Sequence, residues 1–346
     1  MNKFDEIYDI RFAMYSDIEA IMRFIRTEWK DSHILGNDRA FFEYEFLDQD
    51  RVNFLLAVRR KTQEIEGIQG FLKMTAQTEG QGIWSCMWMV REKSNIPLLG
   101  LELSKRVESM TGCKYRIGPG SNPVTAIPIY KAIMKKYTDK EKQFYMLNPD
   151  SDFKIAQIEH METPRFDAVQ DAQLVTYPDI EELESEFSFS RFKDAIPYKD
   201  RWYYNKRFFH HPIYEYEVCG VKNREDKVNA VLVFRVSEAE NHKALRIVDF
   251  FGEQKELEHA GAAVYRKLCE EGCEYVDFYC YGIEEEYLRK AGFTERTDGD
   301  SNILPNYFEP FVKQNVDIWF HAPYSHIVVC KADGDQDRPS TPRTLI

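Results

Sequence analysis

Ala244-Leu-Arg-Ile-Val-Asp-Phe-Phe251 and Glu274-Tyr-Val-Asp-Phe-Tyr-Cys-Tyr281 frame the stretch that decides the fold, which closes on Lys290-Ala-Gly-Phe293. Each run is nearly continuous in apolar, β-branched and aromatic residues, the pattern of a strand buried on both faces. Between them Leu257, Gly261, Val264, Tyr265 and Leu268 recur at helical spacing, and Gly272 sits where a C-terminal cap belongs. Gly282 then turns the chain into a short helix carrying Leu288. The order is strand, helix, strand, helix.

The same plan occurs earlier. Ile83-Trp-Ser-Cys-Met-Trp-Met-Val90 reads as a strand, and Leu99, Leu103, Val107 and Met110 share one face of a helix that Gly112 stops. Lys114-Tyr-Arg-Ile117 is a second strand, and after Gly118-Pro-Gly120 comes a helical segment with Tyr130. A repeat period well beyond ~50 residues marks a duplicated domain, not a solenoid. Upstream, Tyr8–Phe12 reads as a strand and Ser16-Asp-Ile-Glu19 as a capping box opening a helix to about Trp29. A second helix is expected over Asp38–Leu47, and Asn53–Arg59 with Gly67–Leu72 reads as a hairpin. In the second half an acidic helix over Asp179–Phe189 precedes paired strands at Ile213–Val221 and Val228–Val236. The expected architecture is α/β, with two similar modules in tandem, each a mixed twisted sheet flanked by helices. The modules are placed at residues 1–150 and 165–335, joined by a polar linker from Asn148-Pro149 to Thr163-Pro164 and followed by a tail, 336–346, that frays from Pro339.

At 346 residues with 43% hydrophobic content, each module can bury its own core, and a monomer or homodimer is expected. The net charge of −12 argues against nucleic acid, whose partners cluster Lys and Arg on the phosphates. The amino terminus lacks a signal-peptide pattern and no apolar run approaches ~18 residues, so a cytoplasmic protein with no membrane partner is expected. Seven cysteines without a C-x-x-C pair argue against a disulfide framework. No metal is expected: Cys269 and Cys273 lack a second ligand pair, and His210 and His211 point to opposite faces of an extended chain. The alternating aspartates of Asp333-Gly-Asp-Gln-Asp-Arg338 fail the calcium-loop template at Arg338 and Thr344. They read instead as a turn whose carboxylates pair with Arg338 or hold a polar ligand.

The element order, the loop Arg91-Glu-Lys-Ser-Asn-Ile-Pro-Leu-Leu-Gly100 and the segment with Asn122, Ala126 and Tyr130 resemble the GNAT superfamily of acyl-CoA-dependent acyltransferases, twice over. In that family a central strand splays from its neighbour, and the next loop, typically Q/R-x-x-G-x-G/A, aims amides at the CoA diphosphate. The physics is that of an anion at a helix N-terminus. The resemblance implies an acyl-CoA, acetyl-CoA above all, held by Met89, Val90, Lys93, Ser94, Asn95, Ile96, Gly100 and Asn122, with Pro97 at the first helical position. Ser94 and Ile96 stand where the family has small residues, and Lys93 compensates by charge.

Tyr130 matches the family tyrosine that protonates the departing thiolate. In the second module Gly292-Phe293 survive, but Leu288 takes the tyrosine's slot, so the first module is the expected catalytic half. His33 is one candidate for the base and Glu92, acting through water, another, neither singled out by the sequence, and a backbone N–H near Val90 is placed to polarise the thioester. Trp29 lies where acceptors contact such proteins. Asp249, ionisable on a buried strand, is either paired to a basic residue or lines a polar cleft. In the second case it joins Asp335, Asp337 and Arg338 around a small polar acceptor. The implied function is N-acylation of an amine, with the amino sugars of bacterial surface glycans as the analogy. A Fem-type aminoacyl transferase and a non-catalytic binding protein are the alternatives.

Overall fold

The computed structural model describes residues 3–94 and 96–342. The chain forms two compact units, one of residues 1–118 and 338–346, the other of residues 119–337.

In the first unit the strands Tyr8–Met14, Arg51–Arg59, Ile65–Lys73, Gly82–Val90 and Tyr115–Pro119 lie side by side in that order. The first four are antiparallel neighbours, and only the last pair is parallel. The predicted first helix spans Ile18–Glu28 and buries Ile18, Ile21, Met22, Phe24 and Ile25, the 3.6-residue stripe of its sequence. Arg11 fastens its start by gripping Asp17 at 2.7 and 2.9 Å. The helix Leu99–Thr111 lays Leu99, Leu103 and Val107 against Leu55, Ala57, Phe71 and Ile83. Each such fully buried side chain contributes about 1.5–3 kcal/mol of hydrophobic stabilisation.

The second unit repeats the plan with the strands Gln173–Tyr177, Glu217–Lys222, Val228–Ala239, His242–Gly252 and Tyr275–Tyr281. Its helix Leu257–Glu270 sits on Leu232, Phe234, Ile247 and Phe278. Gly261 in that helix has a packing reason, since a Cβ there would lie 1.9 Å from the Ala291 carbonyl oxygen. The tandem α/β architecture expected from sequence is thus what the chain adopts. Among the described residues no helix is long and apolar enough to cross a membrane.

The division falls at Gly118, well before the linker expected near residue 150. The strand Lys142–Leu147 explains why: it pairs antiparallel with Tyr275–Tyr281 on one side and with Thr294–Glu295 on the other. Its alternating side chains Phe144 and Met146 belong to the second unit's core, not the first's. The stretch after it is no loose linker either. Glu274, fully buried, accepts hydrogen bonds from the Lys154, Ile155 and Ala156 amides at 2.6, 2.8 and 2.8 Å. Glu274→Ala should leave the buried Ile155 and Ala156 amides, and the Lys154 amide beside them, without their acceptor and cost at least about 2 kcal/mol. Hydrogen exchange checks this: the Lys154–Ala156 amides should lose protection first.

The tail also differs from expectation. Asp337 is buried in the second unit, and the Ile34 amide donates to the Ser340 carbonyl at 3.1 Å within the first. Residues 339–342 are therefore docked, and residues 343–346 lie outside the described residues.

Candidate active site

The central strand of the first unit, Gly82–Val90, pairs with Ile65–Lys73 along its whole length, but with Tyr115–Pro119 only from Gly82 to Trp84. Met87 bulges between Cys86 and Trp88 with φ of +47°, a left-handed conformation that costs a non-glycine residue on the order of 1–3 kcal/mol. From Ser85 onward the strand has left its parallel neighbour. Within this unit and among its described residues, no strand pairs with that second edge.

The loop that follows is held from beneath. Glu66, nearly buried, accepts from the Tyr8 hydroxyl at 2.5 Å, Arg59 at 3.0 Å and the Ser94 hydroxyl at 3.2 Å. Burial and the bond to Glu66 push the Tyr8 phenol above its ordinary range. The Ser94 amide donates to the Arg91 carbonyl at 2.9 Å, so it is committed to the turn. Helix geometry begins at Leu99, two residues beyond the expected Pro97, after Leu98 with φ of +69° and no side-chain cap. The orphan first-turn donors are therefore Leu99, Gly100 and Leu101 rather than Ser94. Gly100 also accepts from the Trp88 indole at 2.9 Å. Ile96 packs on the first unit's core, and Asn95 lies outside the described residues. Met89 and Val90, opposite Ile68 and Gly67, are half-buried. Glu92 and Lys93 are exposed and line a polar cleft of about 800 Å³ with Arg23, Thr27, Glu28 and Arg91.

In the second unit the corresponding edge is filled by the protein itself. The strand His242–Gly252 pairs with Tyr275–Tyr281 only over Leu245–Ile247, and Val329–Cys330 then pairs with Cys280 and Tyr281. The Lys331 amide donates to the Tyr279 carbonyl at 3.2 Å and the Ala332 amide to the Val248 carbonyl at 2.7 Å, bridging both sides of the V. Gly282, at φ of +79°, lets the chain pass: a Cβ there would lie 1.8 Å from the Ile327 carbonyl oxygen.

A buried cation latches this insert. Lys199 binds Asp249 on the central strand and Asp333 at the end of the insert, the latter at 3.1 Å, and all three are essentially sequestered from solvent. The Tyr204 hydroxyl donates to Asp249 at 2.7 Å. Burial alone would push the Lys199 ammonium down, but the two aspartates outweigh it and hold it well above its ordinary range. Asp249, Cys330 and Asp333 present ligand-type atoms within 4.8 Å of one another. The positive charge among them is that of Lys199.

No protein-family model matches the sequence, and no curated protein matches it. Solved structures do. A GCN5-related N-acetyltransferase from Anabaena variabilis superposes with a TM-score of 0.54 at 13% identity, over 91% of this chain and 72% of its own. A conserved Enterococcus faecalis protein of unknown function, described as a probable N-acyltransferase, gives 0.55 at 7% identity, over 92% and 73%. The fold is that of the GCN5-related N-acetyltransferases. The splay and the bulge lie on the strand that the sequence pattern at Ile83–Val90 marked.

The remaining sequence candidates fall as follows. Asn122 caps a short helical segment, its side chain accepting from the Val124 and Thr125 amides at 2.9 and 3.0 Å. Tyr130, on a five-residue π-turn over Ile129–Ile133, belongs to the second unit by its packing and is 2% exposed. It stacks on His321, centroids 3.4 Å apart. In the first unit Trp29 is half exposed and lies 5.7 Å from the His33 ring. His33 accepts the Leu35 amide on Nδ1, and burial, with Arg338 and Lys30, drives its imidazole down to about 3. A ring so weakly basic, with that nitrogen engaged, is a poor proton acceptor for an amine.

Arg338 reaches buried Glu45 at 3.7 Å and the Met87 sulfur at 3.7 Å, placing its charge against the bulge. Asp337 does not pair with it. Arg235 grips Asp337 at 2.6 and 2.9 Å and Tyr216 donates at 2.9 Å, so this carboxyl, which burial alone would raise, is held well below its ordinary range. Asp335 accepts from Gln336 at 3.2 Å in the same turn. Asp249 is paired, the first of the two readings its buried strand allowed. Sequence reasoning missed Glu66, Glu45, Lys199 and His321. Only His321, an ionisable residue within the short apolar run Ile318–Ala322, left a local signal.

Proposed function

We infer that this protein is an acyl-CoA-dependent N-acyltransferase whose acyl donor is held by the first unit. One observation carries the reading: the central strand keeps its parallel neighbour only over Gly82–Trp84 and diverges from it past the Met87 bulge, whereas the matching divergence in the second unit is filled by Val329–Ala332. A strand that diverges from its parallel neighbour is an edge to which an amide-bearing pantetheine arm can add. The Leu99, Gly100 and Leu101 amides supply the positive end of a helix for a diphosphate, with Lys93 and Arg91 nearby in sequence. The donor brings an activated acyl carbon and a thiolate leaving group. The chain's part is to hold that carbon beside the strand; the proton for sulfur is the part that resemblance to the family tyrosine assigns to Tyr130. With His33 depressed, Glu92 acting through water is the base among the sequence candidates.

Acetyl as the acyl group and a small polar amine such as an amino sugar as the acceptor complete the proposal, in a cytoplasmic monomer or homodimer without nucleic acid, membrane or metal. The commitment of the Ser94 amide to its own turn favours a second reading, a binding protein without catalysis. Thermal unfolding with acetyl-CoA separates the two. Saturation at a hundredfold above Kd should add about 2.7 kcal/mol to stability. No shift at millimolar ligand would remove the enzyme reading and leave the binding protein.

A further inference from the structure

Cys280 and Cys330 stand directly opposite one another where Val329–Cys330 pairs antiparallel with Tyr275–Tyr281. The hydrogen bonds around them fix the kind of pair they form. The Lys331 amide donates to the Tyr279 carbonyl at 3.2 Å, one step along the ladder. Cys330 itself turns both backbone groups to Asp333: its amide donates to the carboxylate at 2.9 Å, and its carbonyl accepts from the Asp333 amide at 2.9 Å. The two cysteines are therefore a non-hydrogen-bonded pair, the type in which opposed Cα atoms come within about 4.5 Å and the side chains lie closer. Disulfides span Cα separations of about 4.4–6.8 Å, so the backbone already stands within reach of one.

Direction agrees with distance. Directly opposed residues of an antiparallel pair point to the same face of the sheet, and both side chains belong to the second unit's core. The thiols are free, and 2% and 0% exposed. Burial pushes both well above the ordinary thiol range, so neither is a nucleophile while the strands stay paired. Reaction requires the insert Val329–Ala332 to lift from the V. A two-residue strand and the Lys199 latch hold it down, and the latch's Asp333 is the group to which the Cys330 amide donates.

We propose that Cys280 and Cys330 are a thiol–disulfide pair whose oxidation staples the insert into the second V. The oxidant is a small disulfide such as oxidised glutathione. One cysteine thiolate, uncovered as the insert lifts, attacks it to give a mixed disulfide and one glutathione thiol, and the other cysteine then displaces the second glutathione. The two cysteines lose two protons and two electrons in forming their S–S bond, and the oxidant takes up both and leaves as two thiols. The new bond removes conformations from the lifted state and so favours the closed one. Neither cysteine takes part in the acyl transfer proposed above.

The test is incubation of the full chain with oxidised glutathione in urea just below the unfolding transition, which populates the lifted insert, followed by return to buffer. Mass spectrometry should find a species lighter by two hydrogens, a link between the peptides that carry Cys280 and Cys330, and reversal by dithiothreitol. Exchange at the Lys331 and Ala332 amides should slow at least about tenfold against the reduced protein. Lys199→Met, which loosens the latch, should form the link at least about tenfold faster without urea. In Cys280→Ala no such link should form, and exchange at those amides should be indifferent to the oxidant. If only mixed disulfides with glutathione appear, at the exposed Cys269 or elsewhere, the proposal is overturned. A Cys280–Cys330 link that leaves Lys331 and Ala332 exchange unchanged overturns the staple, and so does oxidant-induced protection that persists in Cys280→Ala. The link and the exchange are both read on the wild-type chain, so they decide the question even if a variant fails to fold.

Discussion

Replacing Lys199 with methionine should cost the second unit about 3–5 kcal/mol, the penalty for breaking a buried ion pair by removing one partner. Two carboxylates, Asp249 and Asp333, then share an interior with no cation between them. One can take up a proton, but the Tyr204 hydroxyl already donates to Asp249 and must lose or re-aim that bond as well. Denaturant unfolding followed by far-ultraviolet circular dichroism reads the loss as a lower midpoint. A loss below about 1 kcal/mol would mean that the latch is energetically idle. The triple variant Lys199→Met, Asp249→Asn, Asp333→Asn removes the charges together and should recover much of the stability, since a neutral replacement of a buried ionic group is often tolerated. The latch also closes the second V, because Asp333 ends the segment that bridges Tyr279 and Val248. Hydrogen exchange in Lys199→Met should therefore rise first at the Lys331 and Ala332 amides.

Tyr130→Phe should lower kcat by about 10²- to 10⁴-fold, the usual contribution of a positioned proton donor. Acetyl-CoA binding, measured by calorimetry, should stay within about twofold, since the hydroxyl is needed only when sulfur departs. The phenylalanine keeps the stack on His321, so stability should change little. Leu288, in the matching slot of the second half, is fully buried in that unit's core, and Leu288→Ala should harm stability and not turnover. An equal loss of kcat and of acyl-CoA affinity in Tyr130→Phe would show that the residue binds the donor rather than serving it as an acid.

Elements governed by local pattern were legible in the sequence. The stripe Leu257, Val264 and Leu268 and the runs Ile83–Val90 and Ala244–Phe251 give their period and burial directly, and their order gives the fold. The Lys142–Leu147 strand was not legible as a neighbour of Tyr275–Tyr281, because local pattern carries no information about a strand's partner. Asn122 illustrates the opposite error. Its spacing to Ala126 and Tyr130 resembles a cofactor motif, yet its side chain satisfies the amides of its own turn, as Asn does at any helix start. The Ser94 amide was lost for a similar reason, since one turn at Arg91 shifted the helix start by two residues. Asp249 announced its need for a counter-charge by its place in an apolar run. Lys199, which meets it, lies in a polar stretch with no pattern to mark it.

The placement of Lys142–Leu147 has a consequence for how the polypeptide assembles. Gln143 hydrogen-bonds Asp277 across 134 residues of sequence, and the strand's other neighbour, Thr294–Glu295, emerges later still. During synthesis both edges of this apolar segment stay without partners until Tyr275–Tyr281 and Thr294–Glu295 have left the ribosome, an interval of several seconds at about 5–20 residues per second. A nascent chain halted near residue 250 would display an open, hydrophobic ribbon, which is a template for self-association. The second unit is thus committed to forming only after Glu295 has been made, and products truncated before it should be the species that chaperones capture.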